Sequence, residues 1–115
     1  MIDEWIKEIK ANTDPESLGM MLVHNGVVRG TAKNGKPVIG MKLSFDKAKL
    51  ESRVNELKKR DGIVQIKAWI NQGELKIGDD IMYLLVAGRF RTDVLPVLQE
   101  LLTYVKGEVV SEEEI

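Results

Sequence analysis

Four basic residues stand where a fold can turn them to chemical use. Arg89 and Arg91 bracket the junction between the apolar run Ile81–Ala87 and the segment Thr92–Lys106, and Lys106 closes that segment. Arg29 follows the apolar pair Val27-Val28. The start of a helix offers free backbone N–H groups and partial positive charge, and a neighbouring arginine adds a planar, two-pronged donor. Arg89 and Arg91 therefore suit an anion, and a lysine at the far end of the same helix suits one too, although only tertiary structure can bring the two ends to one ligand. Each has an ordinary alternative. Arginine pairs are common in surface loops, Arg29 can be a solvated strand end, and the helix dipole favours a cation at Lys106 without any ligand.

Other residues that could do chemistry read as structural. His24 is the only histidine, has no acidic neighbour in sequence, and reads as a partly buried strand residue. Glu74, Asp79 and Asp80 could make a carboxylate cluster, but Gly73-Glu74-Leu75-Lys76-Ile77-Gly78-Asp79 is good turn chemistry and has no calcium-loop spacing. The loop Lys33-Asn34-Gly35-Lys36 is basic without matching a phosphate-cradling glycine motif. The methionines fall inside strand patterns and read as core.

The hydrophobic pattern predicts the elements that must carry these residues. Trp5, Ile6 and Ile9 mark a helix over 3–11, with Asp3 as its cap. Leu18–Val23 is a continuous apolar strand, and Val27 and Val28 let it resume beyond Asn25-Gly26 after a bulge. Gly30–Pro37 is a loop, and Val38–Phe45 alternates as a half-buried strand. Asp46 caps a helix to about Arg60, with Leu50, Val54 and Leu57 inward, and Asp61-Gly62 stops it. Ile63–Ile70 alternates again. Gln72–Gly78 is a turn region, and Ile81–Val86 is the most apolar strand and the expected sheet centre. Thr92 or Asp93 caps the last helix, Pro96 sits in its first turn, and Val94, Leu98, Leu101, Leu102 and Val105 face the core. Gly107 ends it, Val109-Val110 can form a short strand, and Ser111–Ile115 reads as a solvated acidic tail. The order α-β-β-α-β-β-α predicts an α+β fold: a two-layer sandwich of a mostly antiparallel sheet with about three helices, in one domain over 1–115 with an acidic tail at 108–115.

Composition narrows the function classes. The chain has 115 residues and no cysteine, which removes disulfides, thiolate metal sites and cysteine nucleophiles. One histidine excludes a multi-histidine metal centre within the chain. With 17 basic and 18 acidic residues, the charge balance argues against general nucleic-acid or membrane affinity. The first residues, Met1-Ile2-Asp3-Glu4-Trp5, do not resemble a signal peptide, so a cytoplasmic protein is expected.

Three segments resemble the large, catalytic subunit of molybdopterin synthase. Gly19–Arg29 is similar to that family's strand ending in Gly-x-Val-Arg. Gly73–Ile81 is similar to its Gly-Glu-Leu-x-x-Gly-Asp followed by an apolar strand, and Arg91 through Tyr104-Val105-Lys106 to its helix ending Tyr-Leu-Lys. The resemblance covers most of residues 18–106. It implies an α/β hammerhead fold and a sulfurtransferase that needs no cofactor or metal of its own. The substrate would be cyclic pyranopterin monophosphate. The sulfur would arrive as a thiocarboxylate on the C-terminal Gly-Gly of a small ubiquitin-like carrier, the synthase small subunit. The assembly would be a homodimer, or a heterotetramer with the carrier. By the same resemblance Arg29 and Arg91, with Arg89 beside them, would bind substrate, and Lys106 would be catalytic.

The chain also departs from the family pattern. Phe90 stands where the family has a histidine before the helix-start arginine, and a second family lysine falls on Glu113. The Pro-Phe-Trp-Lys run near it is replaced by the acidic Glu108–Glu114, and the loop after Arg29 is short. These departures define a second expectation, a dimeric, non-catalytic binding subunit that kept the fold. A third, an unrelated module binding nucleic acid through Lys33–Lys42, is disfavoured by the charge balance.

Overall fold

The computed structural model describes residues 1–115 as three α-helices and six strands. In chain order these are α1 (Ile2–Asn12), β1 (Met20–Val27), β2 (Gly40–Phe45), α2 (Lys47–Leu57), β3 (Ile63–Ile70), β4 (Gly73–Lys76), β5 (Asp80–Gly88), α3 (Arg91–Tyr104) and β6 (Val110–Glu114). All strand pairs are antiparallel, and they form two three-stranded sheets, β1-β5-β3 and β4-β2-β6. The α+β class and the antiparallel pairing agree with the sequence pattern. The pattern did not foretell the division into two sheets.

β5 is the centre of the first sheet because its residues are apolar on both faces. Leu84, Val86 and Met82 join the main core with Val94, Val97 and Leu101 of α3 and Leu50 and Leu57 of α2. Leu85 and Ala87 face the other way and pack under Ile9 of α1, with Trp5, Ile6 and Met21 around them. Fully burying each such side chain stabilises the fold by about 1.5–3 kcal/mol. The second sheet enters the same core through Met41, Leu43 and Leu75.

Several boundaries move, each for a local reason. β1 runs without a break through Asn25-Gly26, and its register against β5 shifts between Gly26 and Val27, where a bulge was expected. β4 lies inside the expected turn region, because Gly73–Lys76 pairs with Gly40–Leu43 of β2. The expected acidic tail is also a strand. Val110–Glu114 pairs with Met41–Phe45 on the other side of β2, though its side chains from Ser111 onward remain exposed. Strand β2 begins at Gly40 rather than Val38, and the Ile39 N–H donates to the Ile115 carbonyl at 2.6 Å.

Helix ends show similar adjustments. Asp46 caps α2 as expected, its Oδ1 accepting from the Lys49 N–H at 3.1 Å. That helix ends at Leu57, and turns carry the chain to Gly62, whose φ of 81° only glycine adopts freely. α1 takes Met1 as its cap, with Asp3 in the first turn. α3 begins at Arg91 rather than after Thr92 or Asp93. The Phe90 carbonyl accepts from the N–H groups of Asp93 and Val94, both at 3.0 Å, so Phe90 closes the first turn without a side-chain cap. Pro96 therefore lies inside the helix rather than in its first turn. Gly107 does not stop α3. The chain opens into a wide π-type turn over Val105–Val109, and Lys106 projects from that turn.

Candidate functional site

The cleft that gathers the most candidate chemistry lies where the two sheets meet. It has a volume of about 520 Å³ and is lined by Arg29, Lys33, Lys106, Glu112 and Glu114, with Val27, Met41 and Ile81 among its apolar walls. Each side chain arrives from a different element. Arg29 leaves the end of β1, and its Nε donates to the Thr31 carbonyl at 2.7 Å, which fixes the guanidinium's direction. Lys33 sits in a tight loop closed by the Ala32 N–H to Lys36 carbonyl bond at 2.9 Å and by pairing of Thr31 with Pro37. Lys106 comes from the turn after α3. Glu112 and Glu114 project from one face of β6, opposite Leu43 and Met41 of β2.

The turn before β5 holds one side of this arrangement in place. The Val28 N–H donates to the Asp79 carbonyl at 2.9 Å, and the Gly78 N–H to the Val28 carbonyl at 2.8 Å. Asp79 Oδ2 accepts from the Lys76 N–H at 2.8 Å. Asp80 accepts from Asn25 Nδ2 at 3.0 Å and from the Tyr83 hydroxyl. Those hydrogen bonds, from Tyr83 first and Asn25 second, hold the Asp80 carboxyl below its ordinary value. Asp79 and Asp80 thus serve the turn, and their carboxylates are not free for a metal.

His24 belongs to the surroundings of the cleft. Its ring is half-buried on β1, and Nε2 is enclosed without a hydrogen-bond partner. Burial first, and the positive charge of Lys106 second, lower its pKa, so the imidazole stays neutral beside the lysine.

Of the four basic residues singled out in the sequence, the structure brings two together. Arg29 and Lys106 share the cleft; Arg89 and Arg91 are not part of it. Arg89 instead lines a separate hollow beside Asp61, Asp14 and Glu16. Its Nε lies 3.3 Å from Asp93 Oδ2, an Nη lies 3.4 Å from Asp61 Oδ2, and its guanidinium stacks over the Phe90 ring at 4.9 Å. Those carboxylates neutralise it, and its work is to fasten the start of α3 to the turn at Gly62. Arg91 is exposed at the first position of α3 and makes no hydrogen bond or ion pair. The fourteen residues of α3 hold it about 20 Å from Lys106 within one chain.

Residue-by-residue reading of the sequence missed Glu112 and Glu114. The family comparison pointed at Glu113, yet Glu113 lines a separate hollow with Lys42 and Glu74, which Glu112 borders as well, and is not part of the cleft. Strand periodicity places its two neighbours in the cleft. The signal was present in the i, i+2 spacing but needed the knowledge that 110–114 is a strand.

A family model described as "MoaE protein" matches residues 2–108. No curated protein sequence matches the chain. Molybdopterin synthase from Staphylococcus aureus superposes with a TM-score of 0.78 at 20% identity, over 96% of this chain and 82% of that one. The molybdopterin biosynthesis MoaE protein from Burkholderia ambifaria gives 0.78 at 19% identity, over 100% and 82%. A complex of subunits 1 and 2 of the molybdopterin-converting factor from Helicobacter pylori gives 0.76 at 19% identity, over 98% and 74%. At such identities the superpositions speak for the fold, and the sequence match speaks for the family. The chain belongs to the MoaE protein family, the large-subunit family of molybdopterin synthase, whose work is in molybdenum cofactor biosynthesis.

Proposed function

We propose that this protein is the large subunit of a molybdopterin synthase, transferring sulfur from a thiocarboxylated ubiquitin-like carrier to cyclic pyranopterin monophosphate. The observation that carries the reading is the meeting of Arg29 and Lys106 in one cleft, from elements far apart in a chain of this family. The chain has no thiol, so the sulfur must come with a partner. A structure similar to this chain is a complex of two subunits of the molybdopterin-converting factor, which supports a small-subunit partner.

The residues present suit the chemistry. Arg29 offers a bidentate fork to a phosphate, and Lys33 adds a mobile cation at the rim. When the thiocarboxylate sulfur displaces an oxygen substituent from a side-chain carbon of the pterin, a C–S bond replaces a C–O bond, the oxygen leaves as water or stays with the freed phosphate, and the carrier becomes an acyl thioester. Water then breaks the acyl C–S bond, restores the carrier's carboxylate and leaves sulfur on the pterin. Lys106 is placed to donate to the oxyanion that forms in that hydrolysis and to hand on a proton. His24, its pKa lowered by burial and by the charge of Lys106, brings no second positive charge beside that lysine.

Arg91 enters the reading through a second copy of the chain. It cannot serve the cleft of its own chain across the length of α3. Phe90, 59% exposed, and Leu95, 43% exposed, flank it and give this end of the helix an apolar face suited to another protomer. In a homodimer, each site would take Arg29 and Lys106 from one copy and Arg91 from the other.

The test is sulfur transfer from the thiocarboxylated carrier to the cyclic pterin. Product that depends on Lys106 supports the reading, and no product beside a competent large subunit overturns it. A second reading, a dimeric binding subunit without turnover, is favoured by Glu112 and Glu114, because two carboxylates oppose a phosphate and a thiocarboxylate. Carrier binding without turnover, unaffected by Lys106→Ala, would establish it instead.

A further inference from the structure

The cleft holds charges of both signs that do not neutralise one another. Arg29, Lys33 and Lys106 face Glu112 and Glu114 around one opening, yet every ion pair in the chain lies elsewhere. The backbone keeps them apart. Both glutamates ride on β6, which is paired with β2 along its length, and just beyond it the Ile115 N–H donates to the Gly40 carbonyl at 3.0 Å. The cations ride on the end of β1, the closed loop at Lys33 and the turn after α3. The two signs are thus displayed on separate elements around one opening. Such a surface suits a ligand that is anionic at one end and rich in N–H donors at the other.

Strand β6 lies beyond the family match, which ends at residue 108. A simple phosphate gains from the cations and loses to the carboxylates. An aminopyrimidinone ring gains from both. Its ring N–H and adjacent amino group are parallel donors that one carboxylate accepts with its two oxygens. We propose that Glu112 and Glu114 are specificity-determining residues that recognise the N–H donor edge of a pterin while Arg29, Lys33 and Lys106 hold its anionic group. This assignment rests on the sulfur-transfer reading for its choice of a pterin. It gives the departures in the last strand a role in recognition rather than a loss of function.

The experiment titrates the full chain, by fluorescence, with pterin-6-carboxylate and with lumazine-6-carboxylate. Lumazine replaces the 2-amino donor by an oxygen acceptor and leaves shape and anionic group unchanged. The wild-type protein is expected to prefer the pterin by about tenfold or more, because the lumazine turns an acceptor toward a carboxylate. The double variant Glu112→Gln, Glu114→Gln is expected to bring that ratio to within about twofold and to tighten inorganic phosphate binding. Both positions are exposed, and unchanged circular dichroism checks the fold. Arg29→Ala is expected to weaken both ligands alike. Pterin binding that needs Arg29 but shows no preference over lumazine, or keeps it in the double variant, overturns the glutamate assignment and leaves the sulfur-transfer reading standing. Loss of carrier affinity in the double variant with the pterin preference intact would overturn it too, placing a basic patch of the carrier at these carboxylates. Absence of binding by either bicyclic ligand overturns the glutamate assignment, while the sulfur-transfer assay decides the reading it rests on.

Discussion

Mixing two inactive variants separates a shared site from two self-contained ones. Lys106 and Arg91 lie at opposite ends of α3, about 20 Å apart, so a site that uses both must be assembled from two chains. Lys106→Ala removes the donor to the oxyanion, a loss of about 10²–10³ in rate. Arg91→Ala removes charge-assisted hydrogen bonds worth about 1.5–3 kcal/mol, or roughly 10–150-fold. In the proposed homodimer each variant alone spoils both sites. In a mixed dimer one site carries both substitutions and the other carries neither. Random re-pairing makes about half of the dimers mixed, so about one quarter of all sites are whole. Equimolar parents, unfolded and refolded together, should recover about one quarter of wild-type sulfur transfer, well above either parent. The assay is single-turnover conversion of the cyclic pterin with carrier in excess. Activity no higher than the mean of the parents would refute the two-chain site.

Three smaller predictions test the frame. His24 is held below its ordinary value of 6.5, so it is more readily protonated in the unfolded chain than in the folded one. Its contribution to stability is complete above that value and is lost as pH falls through the lowered folded value; His24→Asn should flatten the fall of thermal midpoint between pH 7 and pH 5, and parallel curves would contradict this. Gly88→Ala drives a Cβ into the Gly62 carbonyl oxygen and to 2.7 Å from a Val94 methyl, so urea denaturation should show a loss of about 1–3 kcal/mol, and a neutral result would mean the close approach is relaxed. Leu101 is 0% exposed in the last turn of α3, so Leu101→Ala should cost about 2–5 kcal/mol by the same measurement.

What the sequence shows well is what local pattern decides. The apolar run from Ile81 to Val86 is central because only a two-sided environment accommodates it, and α1 and α3 supply the two sides. Asp46 caps a helix because its side chain finds an N–H three residues on. β4 and β6 are strands for a non-local reason. Gly73–Lys76 has one inward apolar residue, Leu75, and Val110–Glu114 has none fully buried, yet both sides of β2 need partners for their backbone groups. The same limit governs the site. Arg89 and Arg91 look alike in sequence, but Asp61, brought in from the turn before β3, neutralises one and leaves the other free. Arg29 and Lys106 read as ordinary charges until the sheets place them across one cleft.

The most direct measurement is sulfur transfer itself. Purified protein, thiocarboxylated cognate carrier and cyclic pyranopterin monophosphate are combined, and dithiolene product is measured for wild type, Arg29→Ala and Lys106→Ala. The account predicts product with the wild type, a slower rate at low substrate with Arg29→Ala, and a loss of about a hundredfold or more with Lys106→Ala. Carrier bound but no product from the wild type, or product indifferent to Lys106, would contradict it.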